Sequence, residues 1–199
     1  MDILLIEKKL AGREPSLIDI KKANAVLIPL VETEQGVCLL YETRSENIIQ
    51  PNEVCFPGGS VEEGESPKEA AIRECMEELG VKRSDIRMIA QNDSLHHYGG
   101  MMLYSFIAEL KTQDFHINPC ELSEVFTIPI SWLLSHEPEE YLFEYTPAVP
   151  DGFDMSVFGI EGKYNWRQGH HRIIVWKYGE HYLWGMTAKL TEHFLKLIR

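Results

Sequence analysis

The stretch GGSVEEGESPKEAAIRECMEELGV, residues 58–81, decides how this chain is read. It holds a helix whose ends are marked. Ser66 can cap the N-terminus, Pro67 fits the first helical position, where a missing N–H is harmless, and Glu69 completes a capping box. Gly80 permits the left-handed residue that stops a helix. The helix is therefore expected at 67–79. At about 100° per residue, Ala71, Ile72, Cys75, Met76 and Leu79 share the side that should meet the core. Glu74, Glu77 and Glu78 gather on another arc, with Ala70 beside them. Arg73 can pair with Glu69 or Glu77 at four-residue spacing.

Like charges on one arc repel, at about a few tenths of a kcal/mol per pair. Selection for stability alone would interleave lysine. Hard divalent cations reverse the sign, because Mg²⁺ and Mn²⁺ favour clustered carboxylate oxygens. A solvated acidic face explains the helix taken alone equally well, so the surrounding residues must decide.

They resemble the Nudix box, the signature of the Nudix hydrolases. That pattern runs glycine, five residues, glutamate, seven residues, Arg-Glu, an apolar residue, any residue, Glu-Glu, any residue, glycine, apolar. Here it reads Gly59, Glu65, Arg73-Glu74, Cys75, Glu77-Glu78, Gly80, Val81. Cys75 is smaller than the usual aliphatic residue, which affects packing and not chemistry. The resemblance implies an α/β fold, an α/β/α sandwich with a mixed sheet between helices. It implies a metal-dependent diphosphatase using Mg²⁺ or Mn²⁺, with Glu74, Glu77, Glu78 and the Gly59 carbonyl as ligands. Glu65 and Arg73 would hold the loop to the helix by a salt bridge. Glu74 could take a proton from the attacking water while binding metal. Family members also recruit a glutamate from a later loop, for which Glu121 is the candidate; an ordinary surface acid is the alternative for it.

The box sets the chemistry and not the leaving groups. Upstream, Arg44-Ser45, Glu53-Val54 and Phe56-Pro57-Gly58-Gly59 resemble the coenzyme A diphosphatase subfamily. Downstream, so do Asn118-Pro119 to Glu121, Ile128-Pro129-Ile130 and Tyr182 to Ala188. Asn52 stands where that subfamily has glycine, and the loop after Ser45 is about one residue short. Asn tolerates positive φ, so the turn can survive. The resemblance implies cleavage of coenzyme A or its thioesters to 3′,5′-ADP and 4′-phosphopantetheine, with Arg44, Ser45 and Phe56 at the substrate. Two alternatives remain: a hydrolase of another nucleoside diphosphate derivative such as ADP-ribose, NADH or a nucleotide sugar, or a non-catalytic nucleotide-sensing Nudix domain. Lys163, Arg167, His170, His171 and Arg172 could add charge for a 3′-phosphate, though single members read as surface cations. Phe153, Phe158, Tyr164 and Trp166 could line a groove or sit in the core. His96 and His97 read as loop structure before a strand, or as a substrate contact.

The rest of the chain frames this site. Its 199 residues, 44% hydrophobic and 25% charged, are ordinary for one globular domain. The net charge of −12 offers no basic face for nucleic acid. A small nucleotide-derived substrate is the expected partner, and the oligomeric state stays open, a homodimer included. Four cysteines without a CxxC pair read as buried hydrophobes in a reducing cytoplasm. No signal-peptide order and no apolar run of membrane-spanning length is apparent. Residues 1–22 are expected to form a helix from Ile3 to Leu10 and a linker, 24–33 and 36–43 two strands, and 44–58 a loop. Residues 85–91 and 101–110 read as strands, 130–136 as a helix, 141–184 as aromatic strands and turns, and 186–198 as a final amphipathic helix.

Overall fold

Residues 22–33 and 36–44 carry apolar runs separated by Glu34 and Gln35, and in the computed structural model they pair as antiparallel strands. Residues 2–15, 17–97, 99–161 and 164–199 are described. In chain order the elements are α1 (Ile3–Leu10), β1 (Lys22–Thr33), β2 (Gly36–Arg44), β3 (Val54–Cys55), β4 (Gly58–Ser60), α2 (Pro67–Leu79), β5 (Ile86–Gln91), β6 (Leu95–His97), β7 (Met101–Leu110), β8 (Leu122–Pro129), α3 (Ile130–Ser135), β9 (Glu139–Tyr145), β10 (Gly169–Tyr178), β11 (His181–Leu183) and α4 (Gly185–Ile198).

β1 organises the main sheet. It runs parallel to β7, from Lys22 opposite Met101 to Leu30 opposite Glu109. Its other edge is shared: residues 24–26 bond β4, and residues 30–33 bond β2. The sheet order is β3-β2-β1-β7-β5, with β8 on β2 and β6 on β7. Since all pairings but β1–β7 are antiparallel, the sheet is mixed, as expected. Strand side chains alternate between faces, and two cores result. Leu27, Leu40, Phe106 and Ala108 meet α2 residues Ala71, Cys75 and Leu79 on one face. Ile28, Leu39, Tyr41 and Ile107 meet Leu133 of α3, Leu190 and Phe194 of α4, and Trp176 of β10 on the other. This is the α/β/α layering anticipated from sequence. A smaller sheet, β11-β10-β9, follows α3.

Helix α2 has the expected bounds for the expected reasons. Ser66 Oγ accepts from Glu69 N–H at 3.3 Å, and Glu69 Oε2 accepts from Ser66 N–H at 2.9 Å. Gly80 closes the helix at φ 65°. Burying Ile72 and Leu79 under the sheet contributes about 1.5–3 kcal/mol each. Two wheel positions need correction. Ala70, placed with the glutamates, is fully buried, and Glu78 is buried with it.

Other expectations change too. The supposed loop at 44–58 contains β3 and begins β4. Residues 122–129 form β8, an unanticipated strand whose register with β2 shifts between Thr43 and Arg44. His96 and His97 do precede a strand, β7, but they lie in a short strand of their own, β6, rather than in a loop. The hairpin of β9 and β10 accounts for much of 141–184, and all seven residues of β9 are exposed. Of the cysteines, Cys38 and Cys75 are buried, Cys55 is half-buried and Cys120 is exposed. Asn52 adopts φ 61°, the turn conformation glycine would otherwise supply. Among the described residues no helix is long and apolar enough to cross a membrane.

Candidate active site

The site lies where β4 leaves β1 and meets α2. Gly58 and Gly59 carry the backbone close to its neighbours. A Cβ at Gly58 would stand 2.3 Å from the Ala25 carbonyl oxygen, and one at Gly59 would stand 2.3 Å from Glu74 Oε1. The chain therefore needs glycine to bring its backbone against the helix carboxylates. Gly58 N–H donates to Glu78 Oε2 at 2.8 Å.

Arg73 ties the same corner together. Its guanidinium grips Glu65 with two bonds, Nε to Oε1 at 3.0 Å and Nη2 to Oε2 at 3.1 Å. Nη2 also donates to the Ser60 carbonyl at 3.1 Å, while Nη1 donates to Glu74 at 2.9 Å and Glu77 at 3.2 Å. The alternative partner, Glu69, is engaged with Ser66 instead. A fork of this kind fixes position as well as charge. Arg73→Gln is expected to weaken Mn²⁺ binding by about 10–100-fold, read by titration of the metal-free protein.

The loop after β7 closes the opposite side. Glu121 accepts from Ser45 N–H at 2.8 Å through its carbonyl, and Ser45 Oγ donates to the Cys120 carbonyl at 2.8 Å. Asn118 N–H donates to the carbonyl of Glu78 at 3.1 Å. Ser45 is thus a buried tie that holds the loop bearing Glu121 against β2. Phe56 is a core ring, stacked on Tyr41 with centroids 4.8 Å apart. Arg44 is half-buried, and its Nε donates to the Ile49 carbonyl at 3.0 Å.

Electrostatics show which acids face one another. Burial pushes the Glu78 carboxyl up to about 8, with the charges of Glu74 and Glu121 adding to the shift and Gly58 N–H and Arg44 opposing it. Glu74 is also raised, chiefly by burial, and Arg73 opposes. An acid that sequence reasoning missed behaves the same way. Glu42 of β2 is 1% exposed, and burial, then the charge of Glu78, hold its carboxyl well above the usual range. The missed signal was parity: Glu42 follows Leu40 on the strand side that meets α2.

The substrate-cation cluster is only partly assembled. Arg172 is bound by Glu140 at 2.8 Å and Glu192 at 2.9 Å, so its charge is already matched. Arg167 and His170 are exposed, and Lys163 lies outside the described residues. His97 sits near His171, Lys189 and His96; burial first, then their positive charge, lower its proton affinity. Tyr164 packs edge-on against Trp166, and Phe153 and Phe158 pack together; Phe153, Phe158 and Tyr164 are exposed and Trp166 is half-buried.

A divalent cation fits this corner by chemistry. The donors are carboxylates of Glu74 and Glu78 beside a glycine backbone, the hard oxygen set that Mg²⁺ and Mn²⁺ favour. Glu42 Oε2 is buried with no hydrogen-bond partner, a deficit a cation would meet. Among the described residues no three His, Cys, Asp or Glu side chains already stand in a ready-made ligand set. Arg73 and Gly58 N–H occupy their oxygens instead, in the role of stand-in positive groups.

A model of the NUDIX domain matches residues 21–148. The chain is 32% identical to Nudix hydrolase 3 of Caenorhabditis elegans, over 94% of this chain and 79% of that protein. It is 26% identical to the mitochondrial coenzyme A diphosphatase NUDT8 of Homo sapiens, over 98% of this chain and 77% of that protein. The crystal structure of a MutT/nudix family protein from Enterococcus faecalis superposes with a TM-score of 0.52, covering 100% of this chain and 70% of that one at 15% identity, a likeness of fold.

Proposed function

The chain belongs to the Nudix hydrolase family, and from that premise we propose that it cleaves the diphosphate of coenzyme A and its thioesters, releasing 3′,5′-ADP and (acyl-)4′-phosphopantetheine. Hydrolysis of diphosphate bonds in nucleoside diphosphate derivatives is the activity of the family. The observation that carries the finer reading is the similarity to NUDT8 over nearly the whole chain. The segments around Arg44-Ser45, Phe56-Gly59 and Tyr182-Ala188 support it.

The chain's residues divide the work as follows. Glu74, Glu77, Glu78 and the Gly59 carbonyl would hold Mg²⁺ or Mn²⁺, with Glu77 at the exposed end of the set. A bound divalent cation supplies Lewis acidity toward phosphoryl oxygens and lowers the pKa of a coordinated water. Arg73, anchored on Glu65, orients Glu74. Glu121 takes the proton of the attacking water from the loop side, and Ser45 fixes that loop. Arg44 offers the substrate phosphate a guanidinium at the rim, while Phe56 supports that rim from the core. We place the protein in the cytoplasm, the setting that the cysteine spacing, without a CxxC pair, suits.

The test is a substrate panel with Mn²⁺, with products identified by mass spectrometry in ¹⁸O water. Coenzyme A should be turned over best, with the label on one of the two product phosphates. Far better turnover of ADP-ribose, NADH or a nucleotide sugar would overturn the coenzyme A reading and leave the diphosphatase chemistry standing.

A further inference from the structure

Glu42 sits in β2 at a position the reaction as described above does not use. Leu39 and Tyr41 point into the core beneath α3 and α4, and Leu40 points into the core beneath α2. Alternation sends Glu42 after Leu40, toward α2. Its cross-strand partners agree. Val125 opposite it on β8 packs against the α2 core, and Cys55 opposite it on β3 donates Sγ–H to Glu42 Oε1 at 3.4 Å. The carboxylate is fully enclosed, and Oε2 has no partner. Buried oxygens without a donor are rare because leaving them unpaired is costly. The neighbours that bear on Glu42 are Glu78 and Glu121, which are acids, and Arg44, whose Nε is given to Ile49.

We propose that Glu42 is a further oxygen ligand of the divalent cation, supplied by the sheet side of the site. The proposal rests on the reading of Glu74 and Glu78 as metal ligands. An ion held this way is gripped between α2 and β2. Its binding therefore ties helix to sheet and stabilises the fold, in addition to serving the reaction.

The experiment uses the full chain stripped of metal. Free Mn²⁺ is followed by electron paramagnetic resonance during titration, and the melting temperature is recorded with and without saturating Mn²⁺. Glu42→Gln should weaken the tightest Mn²⁺ binding by about tenfold or more. It should shrink the Mn²⁺-induced rise in melting temperature, while the metal-free protein melts no lower than wild type. A merely structural glutamate would instead lower the metal-free melting temperature and leave Mn²⁺ affinity alone. Wild-type affinity and stoichiometry in Glu42→Gln would overturn the proposal. If that variant does not fold, Glu42→Asp carries the test. Its shorter reach should also weaken Mn²⁺ binding, and unchanged affinity overturns the proposal equally. Glu78→Gln run alongside separates the two readings. If it weakens Mn²⁺ binding and Glu42→Gln does not, only the role of Glu42 fails. If neither does, the helix site itself fails.

Discussion

Glu78→Gln should reduce turnover by about 10²–10⁴-fold, the range expected when a charged group acting at the reacting centre is removed, with the fold preserved. The amide keeps the side-chain shape and can still accept from Gly58 N–H, so near-ultraviolet circular dichroism should be unchanged. Unaltered turnover would contradict the metal role given to Glu78. The same variant makes a second, opposite prediction for stability. In the metal-free protein the Glu78 carboxyl is raised to about 8, against about 4.5 in the unfolded chain. A raised carboxyl favours the protonated fold. Below the unfolded value both states hold the proton and nothing is lost. As pH rises between the two values, the unfolded chain releases its proton first, and the native state loses stability relative to it. Above about 8 the loss is complete. Glu78→Gln lacks this titration, so without metal it should be more stable than wild type at pH 8.5, and the advantage should vanish near pH 4. Equal urea midpoints at both pH values would show that the burial of this carboxyl carries no linkage.

Gly59→Ala should abolish most activity while sparing the fold. The added Cβ would come within 2.3 Å of Glu74 Oε1 and 2.4 Å of its Cδ. Those atoms end a flexible side chain, so the helix need not move; the carboxylate swings away instead. A misplacement of about 1 Å at a reacting centre can cost about 10²-fold in rate, and that is the expected loss. Gly58→Ala provides the contrast. Its Cβ would meet the backbone of Ala25 and Val26, which cannot swing aside, so loss of stability should accompany loss of rate. Activity comparable to wild type in Gly59→Ala would show that the approach of the glycine to Glu74 is incidental.

The parts of this fold that were legible in the sequence are those whose local and tertiary preferences agree. Helix α2 was readable to the residue because Ser66, Pro67, Glu69 and Gly80 each state a boundary in backbone terms. β1, β2 and β7 were readable because apolar runs flank turn residues. β8 was not, since Ser123, Glu124 and Thr127 interrupt its apolar residues and leave no clean alternation; its place is decided by the open edge of β2. The β9–β10 hairpin was legible only as aromatic strands somewhere in 141–184, without bounds or a pairing, because its Tyr141, Leu142, Phe143 and Tyr145 are all exposed, so apolar character and burial part company there. At the site, the helix glutamates and the Arg73–Glu65 pair follow from spacing along one element. The closeness of Glu42 and Glu121 to Glu78 does not, because it depends on two sheet registers and a loop closure far away in the chain.

The parallel partnership of β1 with β7 has a consequence for how this protein is made. Residues 58–81 lie wholly inside the crossover that joins those strands. A nascent chain can therefore emerge with every acid of α2 already synthesised and still lack the platform that gathers them. The ribosome must first deliver Met101 through Leu110, and then Glu121, because long-range pairings form late and slowly compared with a local helix. Until those residues are in place, the acids of α2 lack the strand and the loop that enclose them, so a copy cut short before Glu121 carries the motif without its assembled site.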